Sequence, residues 1–152
     1  MKRYLTYMLS FALLGFTSCE GFLDTDVPSI DQHTFFSGEQ TAYSALVGIY
    51  DPAGWMEYIQ FLDWAIGDVV SDDATKGGGG DSDQPQIYDL EHFRATPEMA
   101  TLSTVWEQNY EGINRANRLI EGLKDNTAVK EDVRKRFIAE ARFMRGYYYF
   151  CL

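Results

Sequence analysis

From Met99 to Leu123 the apolar residues Met99, Leu102, Trp106, Tyr110, Ile113, Ala116, Ile120 and Leu123 follow one another in steps of three and four. That spacing lines up side chains on one face of a helix. Thr96 as N-cap, Pro97 at the first helical position and Glu98 in the first turn mark its start, so the pattern predicts one amphipathic helix of about 27 residues ending near Lys124. Trp106, on this stripe, reads as core. After a short loop at Asp125 to Thr127 the period resumes, with Val133, Phe137, Ala141, Met144, Tyr148 and Leu152 on one face and Phe143, Tyr147 and Phe150 on a neighbouring one. Two helices joined so closely must pack antiparallel, and Gly112 and Ala116 would let Phe143, Tyr147 and Tyr148 approach. The fold class that follows is all-α, built on helix pairs.

Upstream, Ala42, Leu46, Ile49 and Tyr50 recur at helical spacing; Ser37 and Gln40 could form a capping box, and Asp51-Pro52 stops the segment. The apolar stretch Trp55 to Val70 (Met56, Ile59, Leu62, Trp64, Ile66, Val70) predicts a second helix at least to Ala65, in a less regular register. The segment SDDATKGGGGDSDQPQ, from Ser71 to Gln86, cannot continue it, because each Gly costs a helix roughly 1 kcal/mol relative to Ala. It is expected to be a mobile surface loop, followed by a short extended piece from Tyr88 to Phe93.

The N-terminus has a different logic. Lys2 and Arg3 precede an apolar stretch from Tyr4 to Phe16, too short for the roughly 20 residues of a spanning helix, and Thr17 and Ser18 lead into Cys19. Residues 1–18 thus read as a signal peptide, and a Cys placed there resembles the bacterial lipobox, with Phe16 standing where Leu is usual. Cys19 would then be the lipidated first residue of the mature chain, since two or more acyl chains anchor a protein stably. Residues 19–32 read as an extended tether and 33–152 as the helical domain. Removing Lys2 and Arg3 takes the basic count from 13 to 11 against 23 acids, and the net charge from -10 to -12.

That acidity, with a pI near 4.5, argues against nucleic acid, whose phosphates require clustered Lys and Arg. The basic run KEDVRKR (130–136) reads as a solvated helix face, with Glu131–Lys135 and Asp132–Arg136 in the favourable acid-first order, worth about 0.2 to 0.5 kcal/mol each. Cys19 and Cys151 make neither a disulfide framework nor a zinc site; Cys151 reads as a small buried hydrophobe. Asp72, Asp73, Asp81 and Asp83 could offer oxygens to calcium, but the later acids of an EF-hand loop are missing, and a solvated acidic loop is the preferred reading. The four glycines lack the Lys-Ser/Thr of a phosphate loop. His33 and His92 have no accompanying nucleophile signature. No metal, no cofactor and no catalytic residue is expected; paired carboxylates of a glycosidase would need a framework that is not recognisable here.

Several stretches together resemble the SusD/RagB family of outer-membrane nutrient-binding lipoproteins of Bacteroidetes. They are Cys19, FLDTDVPS (22–29), GIYDPAGW (48–55), DVVSDDAT (68–75), WEQNYEGINRANRLIE (106–121) and AEARFMRGYYYFCL (139–152). The resemblance implies helix pairs like tetratricopeptide repeats scaffolding an irregular ligand-binding region, in a protein several times longer, of which this is an N-terminal part; the uncapped helix running into Leu152 fits that expectation. It further implies a surface-exposed lipoprotein, Glu20, Asp24 and Asp26 resembling an export signal, that captures glycans or similar nutrients for a TonB-dependent transporter of the outer membrane. The ligand face would include the loop and its flanks: Asp72, Asp73, Asp81, Asp83, Gln84, Tyr88, His92 and Phe93. A lipoprotein adaptor that binds only other envelope proteins is the alternative.

Overall fold

The computed structural model describes residues 35–56 and 60–152; the signal peptide, Cys19, the tether and His33 lie outside them. Within the described residues the regular structure is helical, and no helix there is long and apolar enough to cross a membrane. Helix α1 (Glu39–Tyr50) runs into a 3-10 turn (Asp51–Gly54); α2 (Gln60–Val69) is a π-helix; α3 (Pro85–Glu91) is short; α4 (Ala100–Leu123) and α5 (Glu131–Phe150) form the long hairpin.

The main core lies where α1, α4 and α5 meet: Leu46 and Ile49 from α1, Ile113, Ala116, Leu119 and Leu123 from α4, and Phe137, Ala141, Met144 and Tyr148 from α5 are all buried together. Gly112 is what lets α5 come close, because a Cβ there would clash with the edge of the Tyr148 ring. That tyrosine, fully buried, donates its hydroxyl to the Ile49 carbonyl at 2.5 Å and so ties α5 to the end of α1. Arg115 binds the same end, donating to the Gly48 carbonyl (2.8 Å) and Asp51 (2.9 Å), with Glu111 at 2.7 Å, while its guanidinium lies over the Trp55 ring. The hairpin loop is organised by Asn126: its amide donates to the Phe36 carbonyl, and its side-chain oxygen accepts from Ala128 and Val129 N–H.

A smaller core flanks the glycine-rich loop. Ala65 and Val69 of α2, Ile87 and Leu90 of α3, and Met99 pack together, with Leu102 of α4 alongside. The i→i+5 bonding of α2, seen in Val70 N–H to the Ala65 carbonyl at 3.2 Å, widens its turn, which is why this stretch lacked a clean register at 3.6 residues per turn.

Several expectations are corrected. The piece from Tyr88 to Phe93 is not extended: α3 covers Pro85–Glu91, opened by Pro85 in its first turn and buried through Ile87 and Leu90. Thr96 does not cap α4, which starts at Ala100; Gln86 takes that role across space, its side-chain oxygen accepting both the N–H and the hydroxyl of Thr101 at 3.1 and 3.0 Å. Ser37 does not cap α1, whose N-cap is Gly38 with no side-chain cap bond. Trp106 is not core: it is 56% exposed, its ring tilted against that of Tyr110 with centres 4.8 Å apart. The buried stripe of α4 includes Thr101, Val105 and Asn109, so the helix is turned by about one position relative to its largest apolar residues. Asn109 fits inside because its amide donates to the Val105 carbonyl at 2.8 Å. Cys151 is half-buried rather than buried, and the second face of α5, Phe143, Tyr147 and Phe150, is exposed.

Candidate ligand-binding face

The loop from Ser71 to Gln84 is closed on itself by one cation. Lys76 Nζ donates to the carbonyls of Gly77 (3.1 Å), Gly80 (2.8 Å) and Asp83 (2.6 Å), and Asp83 Oδ2 in turn accepts the Gly79 N–H at 3.1 Å. Glycine at 78 is required twice over: its φ is +80°, and a Cβ would collide with the Asp83 carboxylate. The glycine run therefore shapes a cage around an ammonium. Lys76 also sits 6.0 Å from the centre of the Tyr88 ring on α3, which places the cage beside that helix.

The loop leaves α2 and the chain leaves α3 by the same device. At the end of α2, Asp72 N–H bonds the Val69 carbonyl and Asp73 N–H the Asp68 carbonyl, with Asp72 at φ +67°. At the end of α3, Phe93 N–H bonds the Leu90 carbonyl (3.0 Å) and Arg94 N–H the Asp89 carbonyl (2.7 Å), with Phe93 at φ +54°. Both are Schellman terminations, in which the left-handed residue is usually glycine. Asp tolerates that conformation; a bulky residue such as Phe gives up about 1 to 2 kcal/mol there. Phe93 recovers little of this by burial, the residue being 73% exposed.

Around it the other predicted residues divide. Tyr88 and His92 pair one turn apart, ring centres 4.2 Å apart, and the His92 ring nitrogen Nδ1 lies 2.8 Å from the Tyr88 carbonyl. Arg94 lies over the other partner, its guanidinium carbon 5.1 Å from the Tyr88 ring centre and its Nε 3.2 Å from Asp89. Tyr88, His92 and Phe93 therefore share one helix end with Arg94 and Asp89, two residues the sequence reading did not single out; the acid at 89 and the base at 94 could have been found as a pair bracketing the helix end. Gln84, exposed and left-handed at φ +50°, precedes α3. Asp72 and Asp73 stand at the end of α2, and Asp81 and Asp83 on the glycine loop; among the described residues no three Asp, Glu, His or Cys side chains gather to hold a metal ion.

A second surface feature escaped the sequence reading. Pro97, Leu102, Ser103, Trp106 and Glu107 line a groove of about 290 Å³ at the start of α4. It is found only once Trp106 is known to face outward.

Comparison with known proteins places these elements in context. A family model described as SusD-like, starch-binding associating with outer membrane, matches residues 21–152. A SusD-like protein of Bacteroides ovatus is 29% identical over 99% of this chain and 27% of its own length, and SusD-like protein P38 of Formosa agariphila is 25% identical over 99% of this chain and 29% of its own length. The chain thus spans less than a third of the length of these relatives. No solved structure matches it.

Proposed function

Because this chain belongs to the SusD-like family of starch-binding, outer-membrane-associated proteins, we propose that the protein is a surface-exposed lipoprotein that binds glycans or similar nutrients and delivers them to a TonB-dependent transporter. The match across residues 21–152 carries this reading. Two features of the chain support it: a Cys placed for lipidation at 19, and an irregular, acidic, aromatic-flanked segment at 71–94 displayed on a helical scaffold. The function is one of binding rather than catalysis. Residues 1–18 would be removed, Cys19 would carry the acyl chains, and 19–32 would hold the domain clear of the bilayer.

The anchoring step has an all-or-none test. Full-length protein expressed in a host of the family's kind should incorporate a palmitate analogue and fractionate with the outer membrane, and Cys19→Ala should lose both. A Cys19→Ala variant that stays membrane-bound, or a wild type that takes up no label, removes the lipid anchor from the account. The adaptor alternative is separated by retention of the wild-type protein in gels containing polysaccharide, which a purely protein-binding role does not produce.

A further inference from the structure

We propose that Lys76 is a latch that sets the glycine-rich loop in one shape before any ligand arrives, a positioning residue and not a ligand contact; its effect on binding rests on the glycan reading, its effect on the loop does not. The placement of the ammonium carries this. Lys76 is half-buried, whereas every residue from Gly77 to Gln86 is exposed. Its Nζ donates to the carbonyls of Gly77, Gly80 and Asp83, three positions apart along the chain, so the backbone curls around the nitrogen. An ammonium offers three donors, and three acceptors converge on it. Bonds to the backbone fix the path of the chain, which a bond to a flexible carboxylate of the same loop would not.

Four consecutive glycines make such a latch consequential. Glycine has more backbone freedom to lose than any other residue. A loop left open in the unbound protein would surrender that freedom at each binding event, and its affinity would fall with the fraction of time spent in the competent shape. A latched loop has surrendered it during folding. Asp83 completes the closure, its Oδ2 accepting the Gly79 N–H and its own N–H donating to the Gly80 carbonyl at 3.0 Å. Gly77, Gly78 and Gly80 have positive φ. Gly79 does not, and a Cβ there would meet nothing within 4 Å.

The latch has a boundary. Gln84 follows Asp83 and opens α3, its carbonyl accepting the N–H groups of Ile87 and Tyr88 at 3.0 and 3.2 Å. Ile87 and Leu90 hold that helix in the smaller core. Release of the Asp83 carbonyl therefore frees the chain back to Gly77 and leaves α3 in place. Loss of the ammonium is a local event.

The test compares full-length wild type with Lys76→Met, which keeps the stem and removes the donors, by amide hydrogen exchange, thermal melts and affinity gels containing soluble starch, xyloglucan or galactomannan. In Lys76→Met the amides of 77–83 should exchange about tenfold faster or more, with α3 protection and Tm unchanged, and Kd for a polysaccharide that retains wild type should weaken by about threefold to tenfold. Adding Gly79→Ala to that variant narrows the open loop without straining the closed one, and should recover about twofold to fivefold of the affinity. Unchanged exchange at 77–83 overturns the latch. Faster exchange with unchanged Kd overturns the positioning role, and a Tm lowered by several degrees assigns Lys76 to general stability and overturns it as well. A wild type retained by no gel fails the glycan reading itself, while the exchange of 77–83 still decides the latch.

Discussion

Replacing Gly112 by alanine should destabilise the protein by at least about 2 to 3 kcal/mol, the upper part of the range for forcing extra atoms into a packed core. A Cβ at 112 would overlap the Tyr148 ring, and the ring has nowhere to go: it is fully buried and its hydroxyl is held by the Ile49 carbonyl. Gly146, in the same hairpin, has nothing within 4 Å of its would-be Cβ. Gly146→Ala should therefore be neutral or stabilise by up to about 1 kcal/mol, the helix-propensity difference between the two residues. Urea denaturation of the two variants checks this. Equal effects would mean that the helix approach at Gly112 does not limit the packing of α4 on α5.

The second large effect is alkaline loss of stability through Tyr148. Burial pushes this phenol up to about 12 from an ordinary 10.0; a backbone hydrogen bond with Ala53 works against the shift and the neighbouring Tyr147 adds to it. A group whose pKa is higher folded than unfolded favours the fold while it holds its proton in both states. The contribution is thus complete below pH 10 and is lost as pH rises through about 12. At one pKa unit per 1.36 kcal/mol, the loss is at most about 2 to 3 kcal/mol. Tyr148→Phe should be less stable at neutral pH by about 1 to 3 kcal/mol, since the Ile49 carbonyl loses its donor, and should lack most of the decline between pH 10 and 12. Tyr50 shifts in the same direction, through burial and then its hydrogen bond to Glu140, so some alkaline dependence remains in that variant. Parallel stability curves for wild type and Tyr148→Phe across this window would remove Tyr148 from the explanation.

These residues also mark how far the sequence could be read. The α4–α5 hairpin was legible because burial of one helix face writes a period into the chain, and Phe137, Ala141, Met144 and Tyr148 are buried as that period predicts. The closeness of Gly112 to an aromatic of α5 was legible for the same reason. The rotation of α4 was not, because Thr101 and Asn109 are polar in sequence and become compatible with burial only through bonds to Gln86 and Val105. A cap supplied from Gln86, fifteen positions away from Thr101, leaves no local signature at Thr96.

The candidate site shows the same division. The loop was recognisable from its glycines, and its acids and flanking aromatics from composition. Its closure by Lys76 was not, because an ammonium bonded to backbone carbonyls depends on where the chain returns and not on which side chains it carries. The Schellman end at Phe93 was missed because such ends are sought at glycine. The residue that departs from the rule is the one that draws attention to the site.

The proposed ligand face, residues 71–94 presented on a helical scaffold, has a direct test. Amide hydrogen exchange of the full-length protein, with and without a saturating polysaccharide that retains it, reads this most directly. Within residues 35–152, exchange should slow between Ser71 and Arg94, with the α1, α4 and α5 core unchanged. Protection confined to α4 and α5, with residues 71–94 exchanging as they do without glycan, would contradict it.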